Sequence, residues 1–244
     1  MLIRGRVICG LVLLALAAPA GVARAATTAP LVNLPPAPAD IALRLPADPV
    51  DPLGPFHLSL GASPAELAQV VGVEDAERLK AGPDTYHHFA TPPLGGDDAG
   101  ELPAPDGLSV LAADFFVGGE RLVEASLVVQ ATLGRTHALQ ALRRQLGEPD
   151  FDVVLPGALD MVVGWRTADG CLLAWFSDLE FFRVSVFRAD AHDLLAGAQV
   201  VLYDGLLSYS QKLAAGAPAS QIAGDLMKVV TWVAMARASL EPVR

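Results

Sequence analysis

The sequence predicts an α+β fold: a tandem αβββ repeat with an antiparallel sheet, followed by a C-terminal α-helical hairpin. Three observations carry that expectation. A strand end, a turn glycine, a capped amphipathic helix and a closing glycine occur twice, over 60–72 and 133–149. After each helix come short alternating segments separated by Asp-Gly or Gly-Gly turns, as half-buried antiparallel strands require. Beyond residue 190 the apolar residues keep a helical period through two stretches parted by Gly216-Ala217-Pro218.

The first 25 residues read as a secretory signal. Arg4 and Arg6 form a positive start, 7–18 is an apolar core, and Ala23-Arg24-Ala25 is a small-x-small cleavage site. Cleavage after Ala25 places the protein in the periplasm or outside the cell, with no stable membrane anchor; a retained anchor is the alternative. Processing removes Arg4, Arg6 and Arg24 and no acid, so the net charge moves from −10 to −13. Such an acidic chain is ill suited to nucleic acid, whose phosphates demand a surplus of Lys and Arg. Arg outnumbers Lys, Ala and Pro abound and Asn33 is the sole asparagine, a usage that resembles a high-GC bacterial coding bias. Cys9 lies in the signal, which leaves Cys171 alone and excludes an intramolecular disulfide. Cys171-Leu172-Leu173 reads as a strand, so the thiol is expected to be buried and inert.

Residues 26–55 carry Pro35-Pro36, Pro46, Pro49, Pro52 and Pro55 and read as a linker or surface strap. In the first unit, 56–60 alternates as a strand. Ser63-Pro64-Ala65-Glu66 is a capping box with proline at the first helical position, which starts a helix over 64–71. A second helical turn is expected over 74–80, then a strand over 86–89. Residues 91–105 form a Gly/Pro/Asp loop. Asp106-Gly107 turns the chain into strands 108–117 and 121–130 around Gly118-Gly119. In the second of these, Val123, Ala125, Leu127 and Val129 share one face.

The second unit has its helix over 136–146, with Thr136 as expected N-cap and Gly147 and Pro149 as the stop. Strands follow over 161–166, 171–176 and 181–188, with Asp169-Gly170 between the first two. Asp106-Gly107-Leu108 and Asp169-Gly170-Cys171 occupy matching places. The tail stripe runs Leu194, Ala198, Val201, Leu202, Leu206, Tyr209 and Leu213, then Ile222, Leu226, Val229, Val230 and Val233, with Ser220 as expected cap of the second helix. A short break between amphipathic helices implies an antiparallel hairpin, either packed on the sheet or forming a homodimer contact. The divisions are therefore 1–25, 26–55, 56–190 (56–130 and 131–190) and 191–244.

Leu60, Gly61, Ser63 and Gly72, and again Leu133, Gly134, Thr136, Gly147 and Pro149, resemble the superfamily of SmpA/OmlA outer-membrane assembly lipoproteins and β-lactamase inhibitory proteins. The resemblance covers 56–188. It implies a binding or scaffold protein of the bacterial envelope, without enzymatic activity, whose partner is another envelope protein. The chain departs from these families in lacking the lipidated cysteine and the disulfides, and in adding the helical hairpin.

Chemistry-bearing motifs are sparse. His87 and His88 are neighbours in an expected strand and point to opposite faces, so they cannot readily share a metal. No Gly-x-Ser-x-Gly is present, and Gly95-Gly96 and Gly118-Gly119 lack the strand–turn–helix context of a phosphate loop. Asp114, Asp160, Asp178 and Glu180 are candidate acids and bases that nothing in the sequence pairs. No cofactor is implied. The aromatic and arginine residues of the second unit stand out, because Trp and Arg anchor protein interfaces. Alternation puts Phe182, Val184 and Val186 toward the helices and Phe181, Arg183, Ser185 and Phe187 away from them. With Trp165 and Trp175 they are the candidate partner-binding residues, unless the tail hairpin or the strap covers that face. The leading expectation is thus a non-enzymatic binding protein using its sheet face. The alternatives are an inhibitor or immunity protein that blocks an enzyme, through 91–105, and a small-ligand carrier or enzyme with a site between sheet and tail.

Overall fold

A computed structural model describes residues 51–56, 58–71, 76–91, 104–155, 160–189 and 193–243. The signal, most of the strap and nearly all of the 91–105 loop lie outside the described residues.

After a 3-10 turn at Gly54–Phe56 the order is α1 (Pro64–Val71), β1 (Glu77–Ala81), β2 (Asp84–Ala90), β3 (Leu108–Gly118), β4 (Arg121–Ala131), α2 (Arg135–Leu146), β5 (Phe151–Val154), β6 (Met161–Arg166), β7 (Gly170–Phe176), β8 (Phe181–Arg188), α3 (Leu194–Ala214), α4 (Ala219–Ala238) and β9 (Glu241–Pro242). The strands form one antiparallel sheet in the order β5-β6-β7-β8-β4-β3-β2-β1-β9. The α+β class and the C-terminal helices are as expected. Among the described residues no helix is long and apolar enough to cross a membrane.

The two sheet faces bury different cores. On one lie Phe115, Leu127, Trp165, Leu172, Val184 and Val186, packed with Leu67 of α1, Leu142 of α2 and the incoming Leu53 and Phe56. On the other lie Phe151, Cys171, Leu173 and Phe187 under Leu202, Tyr203 and Leu206 of α3, and Tyr86, Phe116 and Val123 under Leu195 and Ala196. α4 lies against α3 and buries Ile222, Leu226 and Val233. The hairpin therefore packs on the sheet.

The α1 capping box forms as read: the Ser63 amide donates to Glu66 Oε2 at 2.7 Å, and the Glu66 amide donates to Ser63 Oγ at 3.3 Å. Five local readings are corrected. The expected strand over 56–60 does not form: Phe56 ends the 3-10 turn, and residues 58–60 lie in no strand. The described part of 74–80 is strand β1, not a helical turn. Gly82, at φ 60, lets the chain fold back, so Leu79 pairs with Tyr86 and the two bury together; this tertiary packing outweighs the helix preference of Glu-Arg-Leu-Lys. Thr136 does not cap α2: Gly134 stands at the cap and no side chain bonds there. Ser220 does not cap α4, where Pro218 holds that place. Val123 leaves the face of Ala125 and Leu127. A bulge between the Phe116–Glu124 and Val117–Leu122 pairs inserts it as an extra residue, and it packs under α3 instead. β5 and β9 were not anticipated; each is four residues or shorter.

α2 also pins the start of the central hairpin. His137 Nε2 lies 2.9 Å from the Asp106 carbonyl oxygen, and Thr132 Oγ1 donates to the Gly107 carbonyl at 3.0 Å. A side chain on Gly107, at φ 78, would meet His137 at 3.0 Å. Glycine is thus required at 107 both by the backbone angle and by the helix above it.

Candidate functional site

The six residues singled out in the sequence do not form one surface. The alternation along β8 holds: Phe182, Val184 and Val186 face α1 and α2, and Phe187 faces the opposite way. That opposite face is covered by α3. Phe187 is fully buried, with its ring edge-on to Tyr203 at 6.4 Å. Ser185 is buried opposite Ser126. Trp165 belongs to the other core, where its indole N–H donates to the Gly147 carbonyl at 3.0 Å and ties β6 to the end of α2. Trp175 is half-buried against the hairpin. Arg183 is its cross-strand neighbour and is half-buried. Only Phe181 is exposed, at 38%. Trp165, Ser185 and Phe187 are therefore inside the protein rather than available to a partner.

The candidate acids also have structural duties. Asp178 accepts the Glu180 amide at 3.1 Å in the β7–β8 turn. Asp114 Oδ1 lies 3.2 Å from His88 Nε2, and the His88 ring stacks on Phe116 at 4.7 Å. Asp160 is buried, which raises its carboxyl above the usual range.

Between sheet and hairpin lie two polar clusters that the sequence did not announce. Glu124, fully buried on β4, accepts from Gln199 Nε2 of α3 at 3.1 Å and pairs with Arg237 of α4. Burial lowers the Arg237 guanidinium to about 10, and the Asp114 charge offsets part of that. Farther along, Arg166 pairs with Asp204 and stands over the Tyr203 ring at 4.7 Å. Tyr203 donates to Asp150, which also accepts the Arg166 amide. Cys171 sits in this second cluster. Burial pushes its thiol up to about 11 against the lowering effect of Arg166, so it is a neutral, inert group at physiological pH.

Among the described residues an open cleft lies at the strand ends. It measures about 690 Å³ and is lined by Arg78, Arg121 and Arg188 together with Asp84, Tyr86, His87, Gly118, Gly119 and Asp193. The sheet register brings these together. Arg78 pairs with His87, His87 with Val117, and Val117 with Leu122, the residue after Arg121. Arg188 ends β8 just beyond Phe187, which pairs with Glu124 on β4. The two carboxylates are engaged at the start of α3. Asp193 caps the helix by accepting the Leu195 and Ala196 amides at 3.0 Å and also accepts from Tyr86 Oη at 3.0 Å. Asp84 accepts the Leu194 amide at 3.0 Å. Burial, with Asp193 close by, raises the Tyr86 phenol well above its ordinary value, so it is a neutral donor. Sequence reading missed this site because its arginines lie on three separate strands. The one available signal was Arg121, directly after the Gly118-Gly119 turn, where strand ends gather.

No family model matches the chain, and no curated protein matches it. Among solved structures it shows similarity to a DUF4309 family protein (YjgB) from Bacillus subtilis subsp. subtilis str. 168, at 14% identity over 52% of this chain and 78% of that one. The TM-score is 0.26, a value at which the likeness carries no argument about fold or function.

Proposed function

We propose that this is an exported, non-enzymatic binding protein of the bacterial envelope that engages its ligand at the arginine-lined cleft rather than on a sheet face. One observation carries the reading: three arginines from three strands meet in a cleft of small-ligand size, while the β8 residues expected to form an open face lie largely under the hairpin. The aspartates beside them already serve the helix end.

The same reading makes the sheet a duplicated scaffold. A helix and a four-stranded meander occur as α1-β1-β2-β3-β4 and again as α2-β5-β6-β7-β8, joined where β4 pairs with β8. The unit is then αββββ, one strand longer than the sequence pattern suggests. A duplicated sheet with a helix laid on each half agrees with the binding role implied by the resemblance to envelope assembly and inhibitor proteins.

Native mass spectrometry of the full chain recovered from the periplasm of its producing cell tests the proposal. The wild type is expected to carry a bound species that an Arg78→Glu/Arg121→Glu variant lacks and a Phe181→Asp/Arg183→Glu variant retains. The opposite pattern, or no bound species in any of them, would remove the cleft from consideration.

A further inference from the structure

We infer that the cleft selects a small ligand carrying two or more phosphate or carboxylate groups; this rests on the binding reading above. Guanidinium groups match both oxyanions through paired N–H donors, and such charge-assisted bonds are stronger than neutral ones. The register sets how far apart the donors stand. Arg78 on β1 and Arg121 on β4 are separated by three strand spacings, roughly 14 Å along the sheet, and Arg188 lies one strand farther. Side chains rooted that far apart suit several anionic groups on one ligand better than a single small ion. His87 adds a hydrogen-bonding group in the same cleft, while the Tyr86 hydroxyl is buried and already donates to Asp193.

Overall charge limits the size of the ligand. The chain carries a net charge of −10. A long polyanion or a broad acidic surface would meet that repulsion over most of its length. A small ligand responds mainly to charges within about 10 Å, the screening distance at moderate salt. The lining of the cleft sets Arg78, Arg121 and Arg188 beside Asp84 and Asp193, whose carboxylates are bonded to α3 amides.

Isothermal titration calorimetry of the full chain at low salt tests this, with tripolyphosphate and tricarballylate as multivalent probes and inorganic phosphate and acetate as single-group controls. At least one multivalent probe should bind about tenfold or more tighter than its control, since one added charge-assisted bond contributes at least about that factor. Heat from tripolyphosphate alone identifies a phosphate ligand, and heat from tricarballylate alone a carboxylate one. Arg78→Gln/Arg121→Gln should weaken binding by about tenfold or more with an unchanged melting curve, because both side chains are exposed. Lys228→Gln, at an exposed residue of α4 whose ammonium pairs with Asp225, should leave binding unchanged. Equal binding by the wild type and the double arginine variant, or no heat from either multivalent probe, overturns the inference. If the probes fail while the periplasmic species is still lost on Arg78→Glu/Arg121→Glu, the binding reading stands and only the ligand class is wrong.

Discussion

The two sides of the sheet are closed by different physics. Toward α1 and α2 the contact is apolar throughout its centre, with Phe115, Leu127, Val184 and Leu142 fully buried. Its prominent polar insertion is the Trp165 indole, and that donates to the backbone of Gly147. Toward α3 and α4 the apolar packing is interrupted by Glu124 with Gln199 and Arg237, and by Arg166 with Asp204 and Asp150 with Tyr203. Apolar burial is non-directional and tolerates small shifts of a helix. A buried ion pair does not, because displacement leaves a charge without its partner. The comparison leads to the hypothesis that the hairpin is held in one register by its buried polar pairs, whereas α1 and α2 are held mainly by apolar packing, with hydrogen bonds only at the ends of α2.

The largest expected effect comes from breaking one such pair. Glu124→Ala leaves Arg237 buried without its carboxylate and should cost about 3–5 kcal/mol in urea unfolding. Glu124→Leu combined with Arg237→Met should recover most of that loss, since apolar replacements of a buried pair are often neutral. A Glu124→Ala protein as stable as the wild type would show that the pair does not hold the hairpin.

Next in size is a response to alkali that belongs to the hairpin side. Cys171, Tyr86 and Tyr203 all lie there, and burial raises all three. The unfolded thiol ionises near its ordinary value of 9, while the folded one keeps its proton to about 11. The folded state thus holds more protons across that window, and stability falls as pH rises through it. The thiol alone accounts for roughly 2–3 kcal/mol, with the two phenols acting in the same direction at higher pH. Urea midpoints measured across that interval should fall, and fall less in Cys171→Ala. A flat profile would mean that these groups are solvated in the folded protein.

On the other side a smaller effect is expected from the α1 capping box. Ser63→Ala removes the hydroxyl that accepts the Glu66 amide and should cost about 1 kcal/mol. Hydrogen exchange should show the loss in α1 while protection of α3 is unchanged. Equal loosening of α3 would contradict the separation of the two sides.

What could be read from the chain divides along the same line. Apolar period and turn chemistry located α1, the central hairpin, β6, β7, β8 and the tail helices, because each depends on residues close in sequence. β1 was misread because its burial depends on Tyr86 across a tight turn. Val123 was assigned to the wrong face because a bulge depends on the partner strand as well as its own. The polar pairs and the cleft were invisible for a related reason. Glu124 and Arg237 are over a hundred residues apart, and Arg78, Arg121 and Arg188 sit on three strands. Patterning reports which way a side chain faces but not what it meets there.

Phe181 is where this distinction is narrowest. It shares the parity of Arg183, Ser185 and Phe187, yet it stands at the start of β8, opposite Gln130, and is 38% exposed. Leu179, in the turn just before it, is 67% exposed. Alternation alone treats Phe181 and Phe187 as equivalent, whereas α3 covers only the second. Phe181→Ser should therefore change stability by no more than about 0.5 kcal/mol, as surface substitutions usually do. Phe187→Ser, six residues along the same strand face, should behave as a buried large-to-small change that also introduces a hydroxyl, costing several times as much. Thermal melts of the two variants side by side measure the difference. Comparable losses would mean that cover over β8 extends to the strand's first residue, and the boundary of the hairpin's footprint would have to be redrawn.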